Sequence, residues 1–554
     1  MPVNEKHTEP NAPQTKEHTP EQESSHGDDN APAPSTRQGI ASIHETDEQP
    51  GTAANIFSQG GQNYRTIGRW DTALVLASNQ VGLGILSLPK VLDVLGLLPG
   101  VAAILSLGII SWYTAYELLQ FYRKHPHVVN MADMARVVGG IPLEIIFGIC
   151  LLVKICFTCG SATVTISIAL NTLSSHGACT VVFAAVAAMT CWLLCLPRQF
   201  KFVAKIGLPS TVSILVAVLI VIISLRVSPP KTAPAGWDKT LRLVGRPSLT
   251  EGVNAVLKVC YAYAGNVGFV SYVAEMRDPG RDFAPALTLL QVFSVVLYLV
   301  TAVAVYCLSG QYTVSPALGS APAVPAKVAY AVVLPAILST GLVFGHTVLR
   351  IYSVNSSKPV GLMTLARTDF QRYHWPPPLA FDLASSARIF KLNTYVWRNQ
   401  WFAENLFEQG SSDPRAWTNL LSKYGTATNG YKVFLTDSST RSWATWVVCA
   451  TVFWIMSFLI ANAIPVFDSI LAIASATFIA WFTFGISDVF WYHRHWEDKF
   501  ARRNLPLAVV YALLVLQALF MNGVGLWASI SQLAAIFHDR QRRIGGAFTE
   551  YVCG

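Results

Sequence analysis

The sequence predicts an all-α polytopic membrane protein of about 11 transmembrane helices. Three observations carry that reading. Of the 554 residues, 52% are hydrophobic and only 13% charged, with a mean hydropathy of +0.41. An ordinary soluble domain carries roughly 25% charged residues, and a chain in water could not hide so much apolar surface, so lipid must be the solvent for much of it. Second, from Thr72 onward apolar runs of about 20 residues follow one another, the length that a hydrocarbon core of about 30 Å demands. Third, backbone groups in lipid must pair within their own segment, so runs of that length are helices.

Taken in order, residues 1–66 are rich in Glu, Gln, Ser, Thr, Pro, Asn and His and bury too little apolar surface to fold, which predicts a disordered cytoplasmic tail. No apolar stretch opens the chain, so no cleavable signal is expected and the first span acts as its own insertion signal. The spans are expected at 72–90, 96–120, 139–170, 180–196, 206–226, 253–275, 285–309, 327–350, 443–463, 467–491 and 506–533, and residues 536–554 form a C-terminal tail.

The net charge of +8 does not point to nucleic acid, because the Lys and Arg sit mostly in short loops between apolar runs. With the N-terminus inside, the inner loops hold Arg123, Lys124 and Arg136, then Arg198, Lys201 and Lys205, then Arg277 and Arg281, then Arg494, Lys499, Arg502 and Arg503, as the positive-inside bias requires. The 227–252 loop and Arg540, Arg542 and Arg543 run against it. Most of the 10 Cys lie inside apolar runs, and the Cys156/Cys159 pair reads as small packing residues rather than a metal or redox site. No metal or cofactor is expected.

The chemistry lies in two interrupted spans. The first reads Ser78-Asn79-Gln80-Val81-Gly82-Leu83-Gly84-Ile85, and the sixth Tyr261-Ala262-Tyr263-Ala264-Gly265-Asn266-Val267-Gly268-Phe269. Glycines clustered at mid-membrane depth permit unwinding, which lipid tolerates only where the backbone lines a polar cavity. Interrupted segments at matching places in two halves point to a transporter's substrate site. They match here if spans 1–5 and 6–10 are inverted repeats with span 11 added. The competing reading is close packing of small residues between helices. A half-helix starting after Gly82–Gly84 offers free N–H groups and a positive dipole end to a carboxylate. Unwound carbonyls near Ala264–Gly268 suit an ammonium. A zwitterionic amino acid has both, and Tyr261, Tyr263 and Phe269 either surround an apolar side chain or pack against lipid and neighbouring helices.

The stretches GRWDTALVLASNQVGLGILSLPKVLDVLGLLPG, YRKHPHVVNMADMARVVGG, LPRQFK and STGLVFGHT, in that order, resemble the amino acid/auxin permease family, within it the fungal neutral amino acid permeases. The resemblance covers about 68–350 and resumes at about 432–535. It implies a LeuT-type 5+5 inverted repeat with an eleventh span, and amino acid transport usually coupled to protons. Carried over residue by residue, it implies substrate contacts at Val81, Gly82, Leu83 and Gly84 and at Ala264, Gly265 and Asn266. Weaker contributions are implied from the third and eighth spans at Thr158, Ser161, Thr340 and His346.

Ionisable residues inside spans are costly and are functional candidates by default. Lys154, Lys258, Glu275 and His346 are the proton-coupling candidates, with two bland readings beside them: Lys154 snorkels or pairs with Glu144, and Glu275 belongs to the inner loop with Arg277. Asp488 and the run at 493–499 are expected at the membrane interface. An integral-membrane enzyme would show clustered His and acidic residues at span ends; only 493–499 looks so, without a matching partner, and no enzyme is expected. A nutrient-sensing receptor on the same frame is the other function class. The partners expected are an amino acid, a coupling ion (a proton) and the bilayer, with the plasma membrane favoured over the vacuolar one.

Residues 353–431 stand apart. They hold Trp375, Trp397, Trp401, Trp417 and the Pro376-Pro377-Pro378 run with no helical or alternating period. A long unpatterned loop is unusual in a compact protein. It reads either as a cytosolic lid or as a retained intron; joining Tyr352 to Lys432 restores a short basic connection, which favours the second.

Overall fold

The computed structural model describes residues 68–126, 128, 130–197, 200–234, 236–356 and 440–544. The 1–66 tail, most of the 353–431 segment and the last ten residues lie outside the described residues. Helix starts follow local chemistry where it is present. Helix α4 (Met131–Ser174) opens on Asn130, whose side chain accepts from the Asp133 amide while Asp133 accepts from the Asn130 amide. Ser248 and Glu251 form the same reciprocal cap on α7 (Leu249–Ala262). These boxes satisfy amide protons that the first turn leaves without partners.

The order is α1 (Arg69–Gln80), a tight turn Leu83–Ser87, α2 (Leu88–Leu95), α3 (Leu97–Lys124), α4, α5 (Thr180–Cys195), α6 (Phe200–Val227), α7, α8 (Asn266–Glu275), α9 (Pro279–Ser309), α10 (Ala323–Ser356), α11 (Thr440–Ala463), α12 (Phe467–Arg494) and α13 (Leu505–Ile544). Among the described residues, eight helices are long and apolar enough to cross a membrane, and α1 with α2, bent by 45°, makes a ninth. The short α5 and the α7–α8 pair lie where the sequence places two further spans. Boundaries differ at the ends: α4 starts at Met131 rather than 139, with a kink at Gly139–Gly140, and α13 runs past 533 to Ile544.

Polarity is turned inside out relative to a water-soluble bundle. Ile109, Ile223, Leu513 and Leu516 point outward, while Ser161, Thr163, Asn266, Ser294 and Thr483 are buried. That arrangement suits a bundle whose outer solvent is hydrocarbon. Helix α10 packs against α4 and α6, and α12 against α4, α7 and α13. The middle of α12, Ser475–Gly485, is wound as a π-helix. Its turns are wider than α-turns, and two of its carbonyls take side-chain donors instead: Ala476 from Asn522 and Thr483 from Asn266.

Candidate functional site

Both interrupted spans are broken where their glycines lie, and the breaks face each other. In the first span α1 stops at Gln80, Val81 leaves helical geometry at φ −79° and ψ 87°, and Gly82 is extended before the turn at Leu83. In the sixth span α7 stops at Ala262 and α8 starts at Asn266. The Tyr298 hydroxyl of α9 lies 2.8 Å from the Ala262 carbonyl and 3.1 Å from the Gln80 carbonyl, so one proton serves the last residues of both half-helices. Asn79 donates to the Gly265 carbonyl at 3.2 Å. Gln80 reaches Gln291 of α9 at 3.4 Å, and Gln291 donates to the Gly108 carbonyl of α3 at 2.7 Å. Helix-terminal carbonyls freed by unwinding are therefore held by side chains, as buried backbone requires.

The glycines divide by role. A Cβ on Gly84 would lie 2.6 Å from Ala262 Cα, so Gly84 is the point where the two broken spans touch backbone to backbone. A Cβ on Gly82 would meet nothing closer than Thr340 Oγ1 of α10, at 3.8 Å. Gly82, Ala264 and Thr340 keep some exposure amid buried neighbours such as Val81, Leu83, Tyr263 and Gly265. The space between Gly82 and Thr340 thus adjoins the positive end of the turn at Leu83, where amide protons lack intrahelical acceptors.

Ser161 and Thr158 of α4 also belong to this neighbourhood. Ser161 Oγ lies 2.9 Å from the Tyr261 hydroxyl and donates to the Thr158 carbonyl at 2.8 Å. The Cys159 thiol lies against the Gly341 carbonyl, and Lys154 Nζ sits 4.8 Å above the Phe344 ring. Those two contacts give α4 and α10 an antiparallel register that sets Thr340 at the depth of Thr158 and Ser161. Three other sequence candidates are spent on architecture. Asn266 donates to the Ser111 carbonyl, Thr114 and the Thr483 carbonyl, tying α8 to α3 and α12. Tyr263 donates to the Ile104 carbonyl and packs edge-on against Tyr298, while Phe269 packs edge-on against Phe283.

The four ionisable candidates are scattered. Lys154 is 1% exposed. It neither snorkels nor meets Glu144, which pairs with Arg136 at 3.5 Å. No salt bridge ties Lys154 to a carboxylate among the described residues. Lys258 pairs with Asp468 at 2.5 Å, and Asp468 also accepts from Ser315. His346 packs its ring 5.7 Å from Trp446 of α11. Glu275 closes α8, and its side chain lies outside the described residues. Asp488, expected at the interface, is fully buried instead, because the last turns of α12 pack inward against α3 and α13 rather than lying at the surface.

A family model described as transmembrane amino acid transporter protein matches residues 65–531. The chain belongs to that family. It is a multi-pass membrane protein that moves amino acids, and the family is one of transporters, not enzymes. Among curated relatives, the N amino acid transport system protein of Neurospora crassa is 27% identical over 480 residues, covering 86% of this chain and 87% of the relative. A transmembrane transporter of Gibberella moniliformis is 26% identical, covering 62% and 73%. Among solved structures, a Na+-coupled sialic acid symporter in a substrate-bound outward-open state aligns over 87% of this chain and 91% of its own at 9% identity, with a TM-score of 0.44.

In this amino acid transporter, sequence reasoning missed Tyr298, Gln291 and Asp468. All three are polar residues within or at the end of apolar runs, and that was the available signal. Their roles were not visible, because each acts on a residue far away in the chain: Tyr298 on Ala262 and Gln80, Asp468 on Lys258.

Proposed function

We propose that this transporter is a proton-coupled symporter of neutral amino acids that works by alternating access, with substrate held at the two helix breaks. The observation that carries the reading is the pair of half-helix ends joined through Tyr298, with Gly82 turned toward Thr340 and no closer neighbour in the way of a Cβ than its Oγ1 at 3.8 Å. A substrate carboxylate would lie against the amide groups that begin the turn at Leu83, favoured by the local dipole. The ammonium would be placed near the sixth-span break around Ala264, since the Gly265 carbonyl is already used by Asn79. Thr340, Thr158 and Ser161, with Tyr261, would form the wall toward the side chain. The cavity wall described holds no acidic residue, which supports a neutral substrate over a basic one. The plasma membrane is the proposed location.

Proton coupling requires a group that changes charge during the cycle. Among the described residues Lys154 is fully buried and forms no salt bridge, whereas Lys258 is held by Asp468. The test is uptake by purified protein in proteoliposomes, with all common amino acids as competitors. Accumulation that rises with outside acidification and collapses with a protonophore is expected. Accumulation that follows sodium and ignores protons would refute the coupling, and binding without accumulation would indicate a receptor.

A further inference from the structure

The basic ends of α3 and α12 meet the start of α13 in a second polar cluster, at the end of the bundle that the charge distribution assigns to the cytoplasm. Arg494 bridges Glu117 of α3 at 2.8 Å, and Tyr511 of α13 donates to the other Glu117 oxygen at 3.3 Å. Tyr511 is stacked between Tyr113 of α3 and Trp491 of α12. Asp488 lies within the same contact, fully buried, and neither of its carboxylate oxygens has a hydrogen-bond donor. The ionisable groups near enough to act on it are Tyr113 and Glu117 on α3 and Tyr492 on α12 itself, while Tyr511 of α13 and Arg494 act on Glu117. His125 and His493 sit at the rim, their rings 6.5 Å apart.

The charges of this cluster do not balance. It holds two carboxyl groups and one guanidinium, which pairs with Glu117 through a terminal nitrogen and leaves its Nε buried without a hydrogen-bond partner. An ionised carboxylate buried without a donor costs several kcal/mol, and a second negative charge beside it adds to that cost. In the closed contact, the neutral acid is therefore the form of Asp488 that the surroundings accept. Separation of α12 from α3 and α13 would admit water and let the carboxyl ionise.

We propose that Asp488 is the binding site of the coupled proton: one carboxylate oxygen carries a proton that symport draws from the outer side while the α3–α12–α13 contact is closed, and that O–H bond breaks, releasing the proton to the cytoplasm, as the contact opens. The Glu117–Arg494 pair is the positioning element that keeps a fixed negative charge next to it. This inference rests on the proton-coupled reading above and names the group that carries the proton. It differs from that reading in placing the group outside the substrate cavity.

The experiment uses the full-length protein in proteoliposomes, with two readouts: accumulation driven by an inward proton gradient, and substrate exchange with no gradient. Wild type, Asp488→Asn and Lys154→Met are compared. For Asp488→Asn we expect exchange within about twofold of wild type, a loss of at least tenfold in gradient-driven accumulation, and a flat dependence of exchange on pH. Asp488→Asn with wild-type accumulation and pH profile overturns the assignment while leaving proton coupling intact, as does a profile abolished by Lys154→Met alone. Wild-type uptake that ignores the proton gradient overturns the coupling itself, and the assignment with it. If Asp488→Asn does not fold, Asp488→Glu keeps the carboxyl but shifts its position by one methylene and must move the midpoint of the pH profile; an unmoved midpoint overturns the proposal.

Discussion

Gly82 and Gly84 lie two residues apart, and the structure assigns them opposite sensitivities to the same added methyl group. At Gly84 an alanine Cβ would lie 2.6 Å from Ala262 Cα, 3.0 Å from its nitrogen and 3.1 Å from its Cβ. Ordinary carbon contacts need about 3.5–4.0 Å, so the first and sixth spans must separate by about 1 Å at their closest approach. The obstacle is backbone, and no rotamer change relieves it. Overpacking of that kind costs about 1–3 kcal/mol, which is roughly five- to 150-fold in an equilibrium at about 1.4 kcal/mol per tenfold. The same displacement would stretch the 2.8 Å and 3.1 Å contacts of Tyr298 to both half-helix ends. Gly84→Ala should therefore lower thermal stability in detergent and reduce uptake at least about fivefold at equal amounts of protein in the membrane. At Gly82 a methyl group has room, 3.8 Å from Thr340 Oγ1. Gly82→Ala should fold with wild-type stability and raise KM more than it lowers the maximal rate, and Gly82→Val, which fills the space further, should abolish uptake without loss of folded protein. Melting curves of tagged protein together with initial-rate uptake separate the two cases. Wild-type stability and uptake in Gly84→Ala would refute the close approach; wild-type KM in Gly82→Val would refute the cavity.

Further outcomes follow from other contacts. Tyr298→Phe leaves the Ala262 and Gln80 carbonyls without their shared donor; an unmet buried group costs about 1–3 kcal/mol, so transport should fall at least fivefold with the bundle still folded, and unchanged rates would show that the breaks do not need it. Asn266→Ala removes the donor to Ser111, Thr114 and Thr483 and should lower the melting temperature more than it changes KM; a change confined to KM would instead make Asn266 a substrate contact. Lys258→Met strands Asp468, which keeps Ser315 as its donor; uptake should slow while its pH dependence stays, and a shifted pH profile would return Lys258 to the coupling role.

Much of the architecture was legible in the sequence because lipid imposes strict rules. A run of apolar residues long enough to cross hydrocarbon has one available backbone state, so the apolar segments lie close to where composition places them, with α4 and α13 running past their expected ends. The glycine clusters at 82–84 and 265–268 marked the two breaks, since only a cavity permits unwinding at that depth. Helix ends were less legible: the kink at Gly139–Gly140 hides the true start of α4 at Met131, and α13 continues to Ile544 because its polar last turns can stand outside the apolar layer.

What the tertiary structure alone decided is which residue answers which. One glycine of a pair turns out to be a contact and the other a cavity wall, because sequence spacing says nothing about what stands opposite a helix face. Lys154 and Lys258 look equivalent in the chain, yet one lies over Phe344 and the other on Asp468, 210 positions away. Asp488 sits six residues from the basic end of its helix and reads as interfacial by that distance, until the packing of α3 and α13 covers it. The sequence by itself determined that this chain spans a membrane and breaks two of its helices there, for those follow from local composition and the solvent. The pairing of charges and the allocation of polar groups depend on contacts between distant segments, and only the folded bundle brings those segments together.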